Sequence, residues 1–354
     1  MIQYKGGDAV RTAVIGGTGY SAIELMRLID KHPELELGPV ISSSRGGTDI
    51  SSVFPHTGEL LDVTMVSFDA KKISESADIA FLAVPSGISK SLVPQLIENG
   101  TKCIDLSGDL RLKSPDQYEE WYKHTPAEPE VIAEAVYGLS ELYTEEIKSA
   151  RIVANPGCYP TASLLGLLPV IKAGLADTSS IIIDAKSGVS GAGRGASLGT
   201  HFSEVNENMK AYKLGTHQHI PEIEQILSEQ SGREITVTFT AHLAPMTRGI
   251  MATIYVNLSQ AISTKEIIGL YSEFYKNNPF VRIRDEGSLP ATKEVYGSNF
   301  CDIGLFSDKR TGRLTIVSVI DNLMKGAAGQ AIQNANLMNG WDIRTGLYDI
   351  PQYP

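Results

Sequence analysis

A cysteine with the surroundings of a nucleophile lies in the segment VANPGCYPTASLLGLLPVI, residues 153–171. The run RIVA that leads into it is typical of a strand, and the Asn-Pro-Gly triplet before the cysteine predicts a sharp turn. Pro160 suits the first turn of the apolar helix that follows. Cys158 is therefore predicted at a helix N-terminus, where free amides and the helix dipole stabilise a thiolate.

An imidazole suited to proton exchange with this thiolate lies in the segment GTHQHIPEIEQIL. Pro221 predicts the start of a helix, with Glu222 in its first turn and His219 just before it. The carboxylate would orient the imidazole of His219 while that ring shares a proton with Cys158. His217, also a candidate catalytic residue, is predicted further out, in an extended lead-in, where substrate contact suits it better than proton exchange. The sequence leaves open which of the two histidines is the acid/base.

The same histidines leave a second interpretation open, because His217 and His219 form a His-x-His pair with His201 and Glu204 close by in the sequence. We predict no metal, because the sequence contains a thiolate nucleophile and the dinucleotide loop described next. A zinc hydrolase would require neither. His32 is predicted to be a solvated helix residue.

A glycine-rich turn, GGTGYSA at residues 16–22, joins the first predicted strand to the first predicted helix. Its G-x-x-G-x-x-A spacing is that of a turn in which the backbone approaches a pyrophosphate and the helix N-terminus favours the anion. The residues predicted to contact a dinucleotide here are Gly16, Thr18, Gly19, Tyr20 and Ser21.

The second strand ends in SSSRGG, which offers no acidic residue for a ribose 2′-hydroxyl. Ser43, Ser44 and Arg45 instead provide donors and a cation for a 2′-phosphate, so the sequence favours NADP over NAD. A later glycine-rich run, SGVSGAGRGAS, lacks the G-K-[ST] ending of a P-loop. Two interpretations stay open for it: a mobile segment beside the active site, or a flexible surface loop without a role in the reaction.

A dinucleotide loop and a cysteine nucleophile together indicate one chemistry. The thiolate attacks an activated acyl group to form a thioester, and NADPH delivers hydride to the acyl carbon, which releases an aldehyde.

Strand and helix patterns alternate in the first half of the chain, and strands predominate in the second half. The predicted fold class is α/β: a Rossmann-type doubly wound parallel sheet plus an α+β catalytic domain with a mostly antiparallel sheet. The predicted NADP-binding domain is residues 1–157, completed by the C-terminal helix, residues 323–354. The predicted catalytic and oligomerisation domain is residues 158–322.

Composition limits the classes of partner. The 354 residues carry a net charge of -10, which argues against a general nucleic-acid or anionic-membrane surface. No apolar run is long enough to cross a bilayer, and no signal-peptide core is present. The three cysteines are too widely separated for a disulfide framework, so the expected location is the cytoplasm.

The quoted motifs also resemble a known family, N-acetyl-γ-glutamyl-phosphate reductase, which shares its architecture with aspartate-semialdehyde dehydrogenase. NPGCYPTASLLGLLP is similar to that family's active-site signature. The segments GGTGYSA, FLAVPSG, IDLSGDLRL, SGVSGAGR, HQHIPEI, HLAPMTRGI and VIDNLMKGAAGQAIQN match as well, from about residue 12 to residue 334.

The resemblance implies a role for each matched position. Cys158 is the nucleophile and His219 with Glu222 the acid/base pair, and a homodimer or homotetramer is expected. Further cofactor contacts fall on Pro85, Ser190, Gly191 and Asn322, and substrate contacts on Arg111, Asn155, His217 and Arg248.

The substrate expected from this resemblance is N-acetyl-L-glutamyl 5-phosphate, which is reduced to the 5-semialdehyde and phosphate in arginine biosynthesis. A related reductase of carrier-linked aminoadipyl or glutamyl phosphate, or of aspartyl phosphate, would use the same residues. A non-catalytic NADP sensor is a third alternative, against which the intact Cys158 and the histidine pair argue.

Overall fold

The structure is a computed structural model that describes residues 9–353. It divides into two compact units. The first comprises the chain through Pro156 together with Ala327–Tyr348, and the second comprises Gly157–Gly326 together with the segment that starts at Asp349. The assignment of NADP binding to one domain, and of catalysis and oligomerisation to the other, stays a prediction.

The first unit is built on a parallel sheet. Within the described residues it has six strands in the order β2-β1-β3-β4-β6-β5. These strands are β1 (Val10–Ile15), β2 (Leu35–Ile41), β3 (Ile79–Leu82), β4 (Lys102–Asp105), β5 (Val136–Tyr137) and β6 (Ile152–Ala154). β3 is buried along its whole length, as a short apolar strand covered on both faces must be. The strand order reverses beside β1, which is where such sheets bind ligands.

Helices connect these strands. They are α1 (Tyr20–Lys31), α2 (Ala70–Ser76), α3 (Ser89–Glu98), α4 (Pro115–Tyr122), α5 (Pro129–Glu134) and α6 (Thr144–Ser149), and α11 (Gly329–Met338) joins the unit from the far end of the chain. The prediction that His32 is solvated is wrong, because this residue is fully buried. Its Nδ1 accepts from the backbone N–H groups of Glu34 and Leu35, and its Nε2 lies 2.9 Å from Asn336 Oδ1. The ring thus joins α1 to α11.

The second unit is built on a sheet of seven strands in the described chain, in the order β11-β12-β13-β10-β7-β9-β8. Its neighbouring strands are antiparallel except for the pairs β11–β12 and β7–β9. The strands are β7 (Ile182–Ser187), β8 (Lys210–Tyr212), β9 (Thr238–Leu243), β10 (Ile250–Asn257), β11 (Val281–Ile283), β12 (Cys301–Asp308) and β13 (Arg313–Ile320). The helices are α7 (Cys158–Lys172), α8 (Phe202–Val205), α9 (His219–Ser231) and α10 (Thr264–Phe274). The predicted fold class is confirmed in both units.

One helix of this unit is almost wholly buried. All residues of α7 from Tyr159 to Ile171 are buried. A Cβ at Gly166 would lie 3.0 Å from Ile254 Cδ1, so the missing side chain lets the helix approach the sheet closely. Tyr271 on α10 donates its hydroxyl to the carbonyl of Gly166 at 2.7 Å. These contacts pack the helix that begins at Cys158 closely against the sheet.

The opposite face of this sheet is less covered. β10 alternates buried and half-buried residues along its whole length, with Ile250, Ala252, Ile254 and Val256 on the buried side.

In the described part of the chain, no helix combines the length and apolarity needed to cross a membrane.

Candidate active site

The glycine-rich turn of the first unit leaves no room for a side chain at Gly16 or Gly17. Gly16 has a φ of +94°, and a Cβ there would lie 2.3 Å from the carbonyl oxygen of Ala83. A Cβ at Gly17 would lie 2.4 Å from Val40 Cγ1. Gly19 is the N-cap of α1, which begins at Tyr20. This close strand-to-helix turn is the geometry that a pyrophosphate requires, so the residues present fit a dinucleotide.

The predicted 2′-phosphate contacts lie at the same edge of the sheet. Ile15 at the end of β1 pairs with Ile41 at the end of β2, and Ser43, Ser44 and Arg45 begin two residues after Ile41. All three are exposed, and the backbone N–H of Arg45 donates to Ser42 Oγ at 3.2 Å. Ile15 also pairs with Leu82 of β3, and the exposed Pro85 lies three residues beyond Leu82. The structure therefore gathers the first unit's predicted cofactor residues at one edge.

Arg45→Ala should raise the KM for NADPH far more than the KM for NADH. A charge-assisted contact to phosphate contributes about 1.5–3 kcal/mol, which corresponds to roughly ten-fold or more in KM. Steady-state kinetics with both cofactors measures this. Arg11→Ala, which removes an exposed arginine paired with Asp78, is the matched control and should change neither KM. An equal effect of Arg45→Ala on both cofactors would contradict the assignment.

A buried acidic cluster follows β4 at this edge. Ser89 Oγ lies 2.9 Å from Asp105 Oδ2, 3.0 Å from Asp109 Oδ2 and 2.7 Å from Ser107 Oγ. The Ser89 hydroxyl has one proton and cannot donate to all three oxygens. Tyr118 donates its hydroxyl to Asp109 at 2.7 Å. Burial, and then repulsion from Asp109, raise the pKa of Asp105 to about 6.

This raised pKa predicts how stability varies with pH. The folded protein holds a proton on Asp105 between about pH 4 and pH 6 that the unfolded chain has released, so this contribution to stability falls as the pH rises through that window. Asp105→Asn removes the titration, and its stability relative to wild type should therefore rise by roughly 3 kcal/mol from pH 4 to pH 7. Urea unfolding at a series of pH values measures this. Asp78→Asn, at an exposed carboxylate, should show no such rise, and a flat profile for Asp105→Asn would disprove the assignment.

The predicted nucleophile stands at the start of the buried helix of the second unit. α7 begins at Cys158 itself, with Gly157 as its N-cap, so the placement at a helix N-terminus is confirmed. The backbone N–H of Gly157 donates to Glu222 Oε1 at 2.8 Å. Glu222 is fully buried, and this bond joins the first turn of α9 to the cysteine turn.

The helix that carries the predicted acid/base pair begins earlier than expected. The prediction of a start at Pro221 is wrong, because α9 begins at His219 and Gln218 already has helical angles, φ −59° and ψ −13°. Proline is accepted anywhere in the first turn, where the backbone N–H has no partner within the helix. His219 and Glu222 therefore lie three residues apart on one face of a helix.

The prediction of an extended lead-in to this helix is wrong, because Gln218 has helical angles, and the centroids of the two histidine rings lie 4.8 Å apart. The backbone N–H of His219 donates to His217 Nδ1 at 3.2 Å, so the neutral ring of His217 bears its proton on Nε2. Burial, and then the charge of Lys213, lower the pKa of His217 to about 4. At neutral pH, His217 is thus a fixed hydrogen-bond donor through Nε2.

Aromatic side chains that the sequence analysis missed surround this histidine. The rings of Tyr159, Tyr212 and Phe239 lie 5.3–5.6 Å from that of His217, centroid to centroid. The hydroxyls of Tyr159 and Tyr212 lie 3.2 Å apart, and burial raises the pKa of both, that of Tyr212 to about 12. Tyr159 directly follows Cys158 in the sequence, and this adjacency could have identified it as a residue of the site.

The remaining predicted cofactor residues of the second unit join two loops. Asn322 donates through Nδ2 to Ser190 Oγ at 2.9 Å and accepts from the backbone N–H of Gly249 at 2.7 Å. Gly191 is exposed and follows Ser190 in a short helical turn. The predicted contact of these residues with the cofactor stays a prediction.

The two predicted substrate residues of the first unit are engaged within it. Arg111 donates to the carbonyls of Asn155 and Leu106, both at 2.8 Å. The amide of Asn155 donates to the carbonyl of Ala327 and accepts from Asn334. Arg248, in the second unit, lies 3.2 Å from the buried Asp321, measured from Nε to Oδ2. Asp321 was also missed, although a carboxylate directly after a strand was visible in the sequence.

Among residues 9–353, no group of three or more His, Cys, Asp or Glu side chains is arranged to hold a metal ion.

Two family profiles match the chain. One, described as semialdehyde dehydrogenase, NAD binding domain, covers residues 11–150, and the other, semialdehyde dehydrogenase, dimerisation domain, covers residues 158–322. N-acetyl-gamma-glutamyl-phosphate reductase of Geobacillus sp. (strain WCH70) is 54% identical over 97% of this chain and 99% of its own. The chain belongs to the N-acetyl-gamma-glutamyl-phosphate reductase family. The enzyme of that name from Bacillus subtilis (strain 168) is also 54% identical, over 98% of this chain and 100% of its own. The resemblance found in the sequence is confirmed.

Solved structures of similar fold are aspartate semialdehyde dehydrogenases. That of Vibrio cholerae, complexed with ASA, has a TM-score of 0.71 at 17% identity, over 94% of this chain and 98% of its own. That of Candida albicans, with NADP, has a TM-score of 0.67 at 16% identity, over 95% of this chain and 99% of its own. At such identities the likeness establishes the fold alone.

Proposed function

We propose that this protein reduces N-acetyl-L-glutamyl 5-phosphate to N-acetyl-L-glutamate 5-semialdehyde and phosphate with NADPH, in arginine biosynthesis. The observation that carries the proposal is the bond from Gly157 N–H to Glu222 Oε1, which brings the start of the histidine helix to the cysteine turn. The 54% identity to reductases of that name supports the choice of substrate.

In the proposed mechanism, the sulfur of Cys158 bonds to the acyl carbon and the carbon–oxygen bond to phosphate breaks, which leaves a thioester on the protein. The cofactor supplies the hydride when bound. When the aldehyde forms, Cys158 leaves as a thiolate, and the carbonyl oxygen of the product carries no proton. The N-terminus of α7 favours the thiolate in both steps.

His219 would hold and return the proton of Cys158. Its position one helical turn before Glu222 places an imidazole and a carboxylate on one face of α9. Since Glu222 is also bonded to Gly157, the same carboxylate would orient the base and keep α9 at the nucleophile. His217, with its proton on Nε2, would donate a hydrogen bond to an acyl or carboxylate oxygen of the substrate.

Arg111, Asn155 and Arg248 would recognise the anionic groups of the substrate. Arg111 and Arg248 are cations that are largely removed from water, with Arg111 8% exposed and the Arg248 side chain 13% exposed. A buried guanidinium binds carboxylate or phosphate more strongly than an exposed one.

The test is phosphate-dependent reduction of NADP with a panel of semialdehydes. We expect N-acetylglutamate 5-semialdehyde to give the highest kcat/KM. A preference for aspartate semialdehyde or for a carrier-linked semialdehyde would reassign the substrate. No phosphate-dependent activity with any semialdehyde, together with tight NADP binding, would favour the sensor alternative.

We further propose that the protein is a homodimer or homotetramer, assembled through the less covered face of the seven-stranded sheet. Ile182 and Phe306 are 39% and 54% exposed, and Tyr255 is half-buried on the same strand as the buried Ile254. The dimerisation-domain profile covers this sheet. We place the protein in the cytoplasm, because Cys103, Cys158 and Cys301 are free thiols.

A further inference from the structure

A fully buried carboxylate outside the predicted site, Asp321, directly follows β13. Its Oδ1 accepts from the backbone N–H groups of Leu323 and Met324 at 2.8 and 3.2 Å, and its Oδ2 accepts from Gly297 N–H at 2.8 Å. Burial raises the pKa of Asp321, and Arg248 and these N–H groups oppose that rise. A buried charge with these partners holds each of them in one arrangement.

The first element that Asp321 holds is the predicted substrate anchor. Arg248 Nε lies 3.2 Å from Asp321 Oδ2, and its guanidinium lies 5.5 Å from the centre of the Tyr296 ring. The neighbouring Asn322 accepts from the N–H of Gly249 at 2.7 Å. Asp321 and Asn322, directly after β13, therefore hold Arg248 and Gly249, directly before β10, through an ion pair and a hydrogen bond.

The second element is a turn of π-helix, Met324–Ala328, that lies against the nucleophile. The N–H of Gly326 in this turn donates to the carbonyl of Asp321 at 3.0 Å. A Cβ at Gly326 would lie 2.8 Å from Cys158 Cβ, so the backbone of the turn packs directly on Cys158. π-helical turns are rare and occur often at functional sites.

We propose that Asp321 is a positioning residue for the reaction, which sets both Arg248 and the turn that covers Cys158. It acts through those residues and touches neither substrate nor cofactor. This inference rests on the proposed function, from which the roles of Arg248 and Cys158 come. The alternative is that Asp321 contributes only to stability, as a buried ion pair elsewhere in the fold would.

The chain offers a matched control for that alternative. Asp302, on β12 of the same sheet, is also fully buried and pairs with Arg282 and Arg284, both at 2.6 Å. Asp321→Asn removes a buried charge from one arginine partner and Asp302→Asn from two, so both should lower the melting temperature. Only Asp321→Asn should change the reaction.

The experiment compares these variants with wild type in kinetics and in alkylation of Cys158 by iodoacetamide. Asp321→Asn should raise the KM for semialdehyde or phosphate by about ten-fold, the scale of a charge-assisted contact. It should also speed alkylation of Cys158, because the covering turn loosens, while Cys103 and Cys301 stay unlabelled in the folded protein. Asp302→Asn should match wild type in both measurements.

A double-mutant cycle tests the route of the effect. If Asp321 acts on KM through Arg248, then Asp321→Asn should raise KM much less in an Arg248→Ala background than in wild type. Full additivity of the two changes would overturn the link to Arg248. Equal behaviour of Asp321→Asn and Asp302→Asn in KM and in alkylation would overturn the whole inference.

The proposed function and this inference fail in different ways. Absence of phosphate-dependent activity in wild type would refute the proposed function, and the alkylation rates would still decide whether Asp321 positions Cys158. If Asp321→Asn does not fold, Gly326→Ala tests the same turn. The added methyl should lower kcat without changing NADPH affinity, and a fully active Gly326→Ala would count against the inference.

Discussion

Cys158→Ser is expected to abolish nearly all turnover while NADPH binds with unchanged affinity. A hydroxyl at the N-terminus of α7 stays protonated where a thiol ionises, so the attacking group is lost although the backbone is unchanged. Removing a nucleophile that acts as one unit with its base lowers kcat on the order of 10³-fold or more. Steady-state kinetics and a fluorescence titration with NADPH measure the two quantities.

The two other cysteines are the controls for this prediction. Cys103 is fully buried, and burial raises the pKa of its thiol far above the usual range. Cys301 is also fully buried, 3.4 Å from Ser318 Oγ. Cys103→Ser and Cys301→Ser should therefore keep their activity per folded molecule. Substantial turnover by Cys158→Ser would end the covalent mechanism.

His219→Asn is expected to lower turnover roughly 10²–10⁴-fold, the usual contribution of a general acid or base, and to remove the imidazole-dependent limb of the pH–rate profile. His217→Asn should mainly raise the KM for the acyl substrate. The pKa of His217 is lowered to about 4, so this ring is already neutral at pH 6–8 and cannot produce a limb there. The measurement is kcat and kcat/KM from pH 5 to pH 9 for both variants.

Glu222→Gln should reproduce part of the loss seen in His219→Asn. The amide retains an oxygen that can accept from Gly157 N–H, so the helix start can remain in place while the charge beside the imidazole is removed. If His217→Asn instead abolishes the limb and His219→Asn retains it, the two roles are exchanged.

Local features of this site were predictable because they depend on residues adjacent in the chain. The Asn-Pro-Gly turn and the apolar run after it determine that α7 begins at Cys158. The spacing of the glycines determines the tight turn between β1 and α1. The boundary at His219 was missed because proline permits a start anywhere in the first turn. The tautomer of His217 was missed for a related reason, since it depends on the helical angles of Gln218 just before that start.

The sequence by itself determined the fold class, the family motifs and the placement of Cys158 at a helix N-terminus, because hydrophobic period, glycine and proline act within a few residues. Only the tertiary structure decided which distant groups meet. Gly157 is 65 residues from Glu222, and the ion pair of Arg248 with Asp321 closes a similar distance along the chain. The first contact depends on the packing of α9 against α7, and the second on the pairing of β10 with β13. Both place a carboxylate out of water, where it must have a partner that no local pattern specifies.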